Sequence, residues 1–277
     1  MTSEAQQLVE LLISKTPLVA MLAPSFPVLY EYPEIITRLR LLGFPYVLEV
    51  TAGADLTNKQ AVAVLKADPQ ARLITSPCPS VVRMVRTKYP ELIPYLGFAA
   101  DSPMVATAKI VREKFPDRKP IFLGPCNAKK LEAGEDYPEL EILALNYKQL
   151  DEVLDHFNLS QPVKPKKDEK FDVEFKQTRL YPISGGLAQS AKVKDVLAAD
   201  ELEVVSGWNN CQAALERFKT NDKIRLLDIL FCEGGCINGP GIDSQLTLPE
   251  RREKVMQFWQ TNNLSLLWSN FKNIFLG

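Results

Sequence analysis

Five cysteines and one histidine carry the chemistry that most needs explaining in this 277-residue chain. Four of the cysteines, Cys78, Cys126, Cys232 and Cys236, share a context. Each follows an apolar run that reads as a β-strand, and each sits at a turn rich in proline or glycine. Cys78 lies in ITSPCPS, Cys126 in FLGPCNA, and Cys232 and Cys236 in FCEGGCINGPG. Thiolates are soft ligands that suit iron–sulfur clusters and zinc. Glycine lets the backbone approach a bound group and aim N–H groups at its sulfides, while proline stiffens a turn and removes donors. His156 is the lone histidine and falls on an amphipathic helix, so a site of several histidines is excluded. Any metal must be held mainly by sulfur.

Three blander readings compete. A single buried cysteine is usually a small hydrophobe; Cys211, on a predicted helix in NNCQAALERF, reads that way. A structural zinc site usually comes as two close cysteine pairs. Here one C-x3-C pair stands with two single cysteines, separated by gaps of 48 and 106 positions. A redox dithiol would favour C-x2-C spacing. Dispersed ligands at strand ends fit a cluster buried between lobes.

The elements that must position these cysteines alternate in type. Helical periodicity covers 4–14, 33–42, 57–67, 80–88 and 102–115, with Gly43 as a stop signal. Apolar runs at 16–23, 45–50, 71–76, 119–124, 202–208 and 227–232 read as strands, and 140–157 as strand then helix. Strands alternating with helices predict an α/β fold with parallel sheets, whose carboxyl ends form the binding crevice. Segment 161–170 (QPVKPKKDEK) is an exposed loop or a mobile insertion, and residues after 245 read as a helical tail.

The 33 basic and 34 acidic residues nearly cancel, which gives no footprint for nucleic acid. No apolar run reaches the ~18 residues needed to cross a bilayer. The N-terminus lacks a secretory pattern, so a cytoplasmic location is expected, where an odd cysteine count argues against disulfides.

Three segments together resemble the signature motifs of the iron-only ([FeFe]) hydrogenase catalytic domain. They are TSPCPSVVRMVRTKYPELIPYL (75–96, with ADSPM following), GPCNAKKLEA (124–133) and FCEGGCINGPG (231–241). EVTAGADLT (49–57) resembles a stretch that precedes the first motif. The similarity runs from about Pro17 to Gly241. It implies two flavodoxin-like lobes with parallel sheets flanked by helices and the cluster between them. The lobes are expected at 17–115 plus 200–245 and at 116–199, followed by the tail 246–277.

The resemblance further implies a [4Fe–4S] cluster on Cys78, Cys126, Cys232 and Cys236. Cys236 would also bridge to a two-iron centre carrying CO, cyanide and a dithiolate. Lys129 matches a lysine that contacts a cyanide, and Ser102 matches a serine of the proton relay. Lys130 reads as a solvated neighbour.

Several positions depart from the hydrogen-evolving pattern. Pro77 replaces the proton-relay cysteine, Gln60 lies near the place of a relay carboxylate, and Gly124 and Leu230 replace two methionines of the two-iron pocket. These losses resemble the sensory branch of the family and imply slow hydrogen chemistry or none. No ferredoxin-like C-x2-C-x2-C run is present. The expected partner is therefore a separate electron carrier such as a ferredoxin, or a signalling protein. The chain is expected to be a stand-alone domain or a piece of a longer protein.

Overall fold

A computed structural model of the protein describes residues 1–97 and 101–261; the remainder of the expected helical tail, 262–277, lies outside the described residues. Two parallel sheets organise it. The first has four strands, β1 (Leu18–Leu22), β2 (Val47–Glu49), β4 (Lys119–Gly124) and β5 (Leu143–Asn146), in the order β2-β1-β4-β5. The second has β3 (Leu73–Ile74), β6 (Leu202–Ser206) and β7 (Leu226–Leu230), in the order β3-β7-β6. In register, Ala20 faces Val47 on one side of β1 and Ile121 on the other.

Alternation along the strands builds a core on each face of the larger sheet. Leu18, Ala20, Leu22, Ile121, Leu123, Leu143 and Leu145 join one cluster. Val19, Met21, Phe122 and Ala144 join the other. The first face is covered by α1 (Ser3–Ile13), α2 (Glu34–Leu42) and α7 (Tyr147–His156). The second face packs against α5 (Pro103–Lys114), which crosses α3 (Thr51–Ala67). The smaller sheet packs on α4 (Pro79–Lys88) and α9 (Trp208–Thr220). The terminal α10 (Leu248–Thr261) returns to the first core through Val255 and Phe258.

Local signals explain several boundaries. α7 opens on a capping box in which Gln149 N–H donates to Asn146 Oδ1 at 2.9 Å and Asn146 N–H to Gln149 Oε1 at 3.0 Å. Pro79 and Pro103 occupy first-turn positions of α4 and α5, and Gly43, at φ 114°, ends α2. α3 begins six residues before the expected start at 57. Its early turn holds Gly53, where a Cβ would sit 2.3 Å from Pro103 O, so the glycine allows the close α3–α5 crossing. Segment 161–170 is anchored at its end, where Glu169 accepts from Arg40 Nε at 2.7 Å and Thr37 Oγ1 at 3.2 Å. His156 is an exposed residue at the last turn of α7.

The α/β architecture with helix-flanked parallel sheets is as expected, but strand pairing divides the chain differently from the expected lobes. β1 and β2 fall in one expected lobe and β4 and β5 in the other, yet all four share one sheet. β6 and β7 pair with β3 alone. Pairing between distant strands is decided by packing, which local periodicity does not carry.

Candidate metal centre

The four-stranded sheet changes winding direction between β1 and β4, the place where open α/β sheets form a crevice beyond their strand ends. Cys126 lies two residues past β4, on the turn before α6 (Ala128–Leu131). Cys78 is the residue before α4, and Cys232 and Cys236 follow β7, with Cys236 opening a short 3-10 turn. Cys78 is buried and the other three are half-buried.

These four cysteines come together. Burial raises the thiol pKa of Cys126, Cys232 (to about 12) and Cys236, and a charge on Cys78 raises all three further. Lys129 pulls Cys126 and Cys236 the other way. The Lys129 and Ala128 backbone N–H groups also act to lower the Cys126 pKa, against the larger effect of burial. Metal binding would therefore displace protons that the buried thiols otherwise hold.

Backbone contacts stitch the cysteine loops to one another. Gly241 N–H donates to Pro125 O at 2.8 Å, joining the loop after β7 to that after β4. Ser184 N–H donates to Gly234 O at 3.0 Å. Gly235, at φ 105°, lies so close to this turn that a Cβ would sit 2.5 Å from Pro182 O. A side chain between Cys232 and Cys236 would thus push their loop off its seat.

Among the described residues, no three His, Cys, Asp or Glu side chains are close enough to hold a single metal ion. A tetrahedral zinc at ~2.3 Å from each sulfur needs a tighter cluster of thiols than this one. Cys211 stands behind the crevice, fully buried in the core of the smaller sheet, as expected. Its Sγ donates to Leu230 O at 3.3 Å.

Beside Cys126 and Cys236 lies a cavity partly open to solvent, lined by apolar groups that include Pro77, Met104, Phe122 and Leu230. At Gly124 a Cβ would sit 2.5 Å from the Phe122 ring, so that ring occupies space a longer side chain would take. Lys129 also lines the cavity and is buried. Its Nζ donates to Pro77 O at 3.1 Å, Ser102 Oγ at 3.0 Å and Glu132 Oε2 at 2.6 Å. Buried Ser102 caps α5 and accepts from Val105 N–H at 3.4 Å. Lys129 thereby ties the Cys78 loop to the Cys126 loop. Lys130 points outward and pairs with Glu4 at 2.8 Å. Gln60 accepts from Asp101 N–H at 3.2 Å, away from the cavity lining.

Three residues of the site escaped sequence reading. Ser25 and Tyr181 line the cavity, Ser25 sharing a 2.8 Å hydrogen bond with Tyr147. Neither carried a motif signal. Glu132 did: it follows Lys129 by three positions, the spacing of an ion pair on a helix.

Residues 16–240, most of the chain, match the family model described as iron only hydrogenase large subunit, C-terminal domain. The chain belongs to this family and is a hydrogenase-like domain. Among particular relatives, it is 26% identical to iron hydrogenase 1 of Clostridium pasteurianum over 262 residues, covering 75% of this chain and 45% of that protein. It is 25% identical over 189 residues to the cytosolic Fe-S cluster assembly factor NAR1 of Encephalitozoon cuniculi, covering 61% of this chain and 51% of that one. A probable cytosolic Fe-S cluster assembly factor, oxy-4 of Caenorhabditis elegans, is 22% identical over 282 residues, covering 82% and 61% respectively. The chain thus spans about half the length of the first two curated relatives. In fold it is similar to the [FeFe]-hydrogenase HydA1 of Chlamydomonas reinhardtii, with a TM-score of 0.72 at 19% identity over 92% of this chain and 88% of that one. No described helix is long and apolar enough to cross a membrane.

Proposed function

We propose that this chain is an iron–sulfur protein that holds a [4Fe–4S] cluster on Cys78, Cys126, Cys232 and Cys236 and senses hydrogen or redox state with little turnover. The convergence of four thiols from three separate loops carries this reading. The bound cluster supplies reversible one-electron storage. Around it, the Ala128 and Lys129 backbone N–H groups and the Lys129 ammonium would favour negative charge on the Cys126 sulfur.

The adjoining pocket is where a two-iron group carrying CO, cyanide and a dithiolate would sit. Its walls are largely apolar, and among the described residues the buried Lys129 is the cation that lines it, with Cys236 also on the lining. Lys129 would offset the charge of such a group, with Ser102 orienting the ammonium. Proton delivery along the usual route is weak, because Pro77 offers only a carbonyl, already engaged by Lys129. The expected partner is an electron carrier of the ferredoxin kind or a signalling protein, and the expected location is the cytoplasm.

A second reading keeps the cubane alone, for electron transfer or cluster assembly; the match to two Fe-S assembly factors favours it. A third is a working hydrogenase with a different proton route, favoured by a polar cleft behind Lys129. Anaerobic reconstitution with maturation, followed by EPR, infrared spectroscopy and a hydrogen-evolution assay with reduced methyl viologen, separates them. The first reading expects a cubane EPR signal, infrared bands of CO and cyanide, and slow or absent evolution. Lack of those bands selects the second reading, and turnover at ordinary enzyme rates selects the third. Zinc without iron or sulfide defeats all three.

A further inference from the structure

Lys129 stands between two spaces of opposite character. One is the apolar cavity beside Cys126 and Cys236. The other is a polar cleft open to solvent, bounded by Ser76 and Pro79 on either side of the Cys78 loop and by Ser102, Glu132, Asp136 and Tyr137. Residues Glu132–Asp136 form a widened π-type turn, closed by Tyr137 N–H donating to Glu132 O at 3.1 Å. The turn places both carboxylates on the cleft. The Glu132 side chain is 8% exposed, against 21% for Asp136.

The charged groups around Glu132 are few. Lys129 is its direct partner, at 2.6 Å. Across the cleft, Arg86 of α4 pairs with Asp136 at 2.7 Å. Asp101 pairs with Lys109 at 2.7 Å, and Arg83 with Glu135 further out at 2.7 Å. Burial, then Asp101, Glu132 and Asp136, push the Tyr137 hydroxyl up, so it stays a neutral donor. Asp101 and Asp136 therefore have counter-ions that solvent reaches. Among the described carboxylates of the cleft, Glu132 is the one in contact with the buried ammonium, which Ser102 also touches and whose field reaches the Cys126 and Cys236 sulfurs. Because Coulomb interactions are mutual, negative charge added at those sulfurs is felt back at the Lys129–Glu132 pair.

We propose that Glu132 is a proton port, taking up a proton from the polar cleft when the group held by the four cysteines gains an electron. The inference rests on reading those cysteines as cluster ligands. One electron passes from a reduced carrier to the cluster. One proton passes from cleft water to a Glu132 carboxylate oxygen, giving a neutral carboxylic acid. No other bond forms or breaks, and the net charge of the region is unchanged. Lys129, its counter-ion neutralised, turns its full charge toward the cysteines. An unbalanced charge is costly in a poorly solvated interior, and Glu132 is the carboxylate that reaches both water and the buried cation.

Potentiometric EPR titration of the full chain, reconstituted anaerobically with the [4Fe–4S] cluster, tests this over a series of pH values. The midpoint potential is expected to fall as pH rises, with one proton per electron over part of the range. Glu132→Gln should abolish that slope and Glu132→Asp should keep it. Should Glu132→Gln hold no cluster, the surface variants decide. Asp136→Asn removes a negative neighbour and should move the sloping range to lower pH. Arg86→Gln removes a positive one and should move it to higher pH. A pH-independent potential in the unaltered chain, a slope that survives in Glu132→Gln, or ranges unmoved in both surface variants overturns the port and leaves the cluster reading standing. A chain that binds no iron defeats the cluster reading and takes the port with it.

Discussion

In the four-stranded sheet, β1, β2 and β5 are buried along their whole length, and β4 is buried beyond its first residue. In the three-stranded sheet only β7 is. β3 is two residues long, and β6 is an edge strand with Val204 43% exposed. The thinner sheet nevertheless carries three of the four cysteines, Cys78 after β3 and Cys232 and Cys236 after β7. The thicker one contributes Cys126, Lys129 and most of the cavity wall. One layer therefore has its stability from packing, while the other presents buried thiols that packing alone leaves protonated. An inorganic core would give the thin layer the cross-links that apolar contacts give the thick one, because metal binding is folding free energy when the site is assembled by the fold.

The largest expected effect is on that asymmetry. Cys236→Ser should lower bound iron and acid-labile sulfide to background after reconstitution, while Cys211→Ala keeps both. Hydrogen exchange should show β7 and α4 losing protection on cluster removal more than β1 and β4 do; equal losses would erase the distinction. Next is a buried ion pair at the edge strand of the thick layer. Arg179, fully buried on the segment leading to β6, forks onto the equally buried Glu49 of β2 through Nε at 3.0 Å and Nη2 at 2.9 Å. Arg179→Met strands that carboxylate and should cost about 3–5 kcal/mol in urea unfolding.

The smallest effect belongs to β7 itself. Burial raises the Asp228 carboxyl from 3.8 to about 6, against one hydrogen bond from Ala188 N–H at 3.0 Å. The folded state binds this proton more tightly than the unfolded one. Its contribution, up to about 3 kcal/mol, is therefore full below about pH 4 and is lost as pH rises through about 6. Asp228→Asn should flatten that fall, read as melting temperature between pH 4 and 7. An unchanged profile would remove the proposed weak point from the thin layer.

Much of this contrast could be read in advance, and the reason is local. The four cysteines stood out because apolar runs stopped at proline or glycine beside each one, and turn chemistry is encoded in neighbouring residues. Cys211 was separable because it sat mid-helix. What escaped was non-local. β1 and β4 share a register, Leu22 beside Leu123, only because side chains from distant segments fill one core. No window of sequence contains both strands. The start of α3 was missed because Gly53 weakens a helix on its own and becomes useful only against Pro103. Ser25 and Tyr181 reach the cavity by tertiary placement alone, and the role open to Glu132 depends on a cleft that α4 helps to close.

The backbone moves from one sheet to the other three times before its last strand, after β2, after β3 and after β5. No single cut can therefore yield either half as an independent unit. The same weave acts as a set of covalent tethers that limits how far the halves can part. A bulky inorganic core of the proposed kind would then have to enter between the loops at the strand ends, not through a wide separation of the halves.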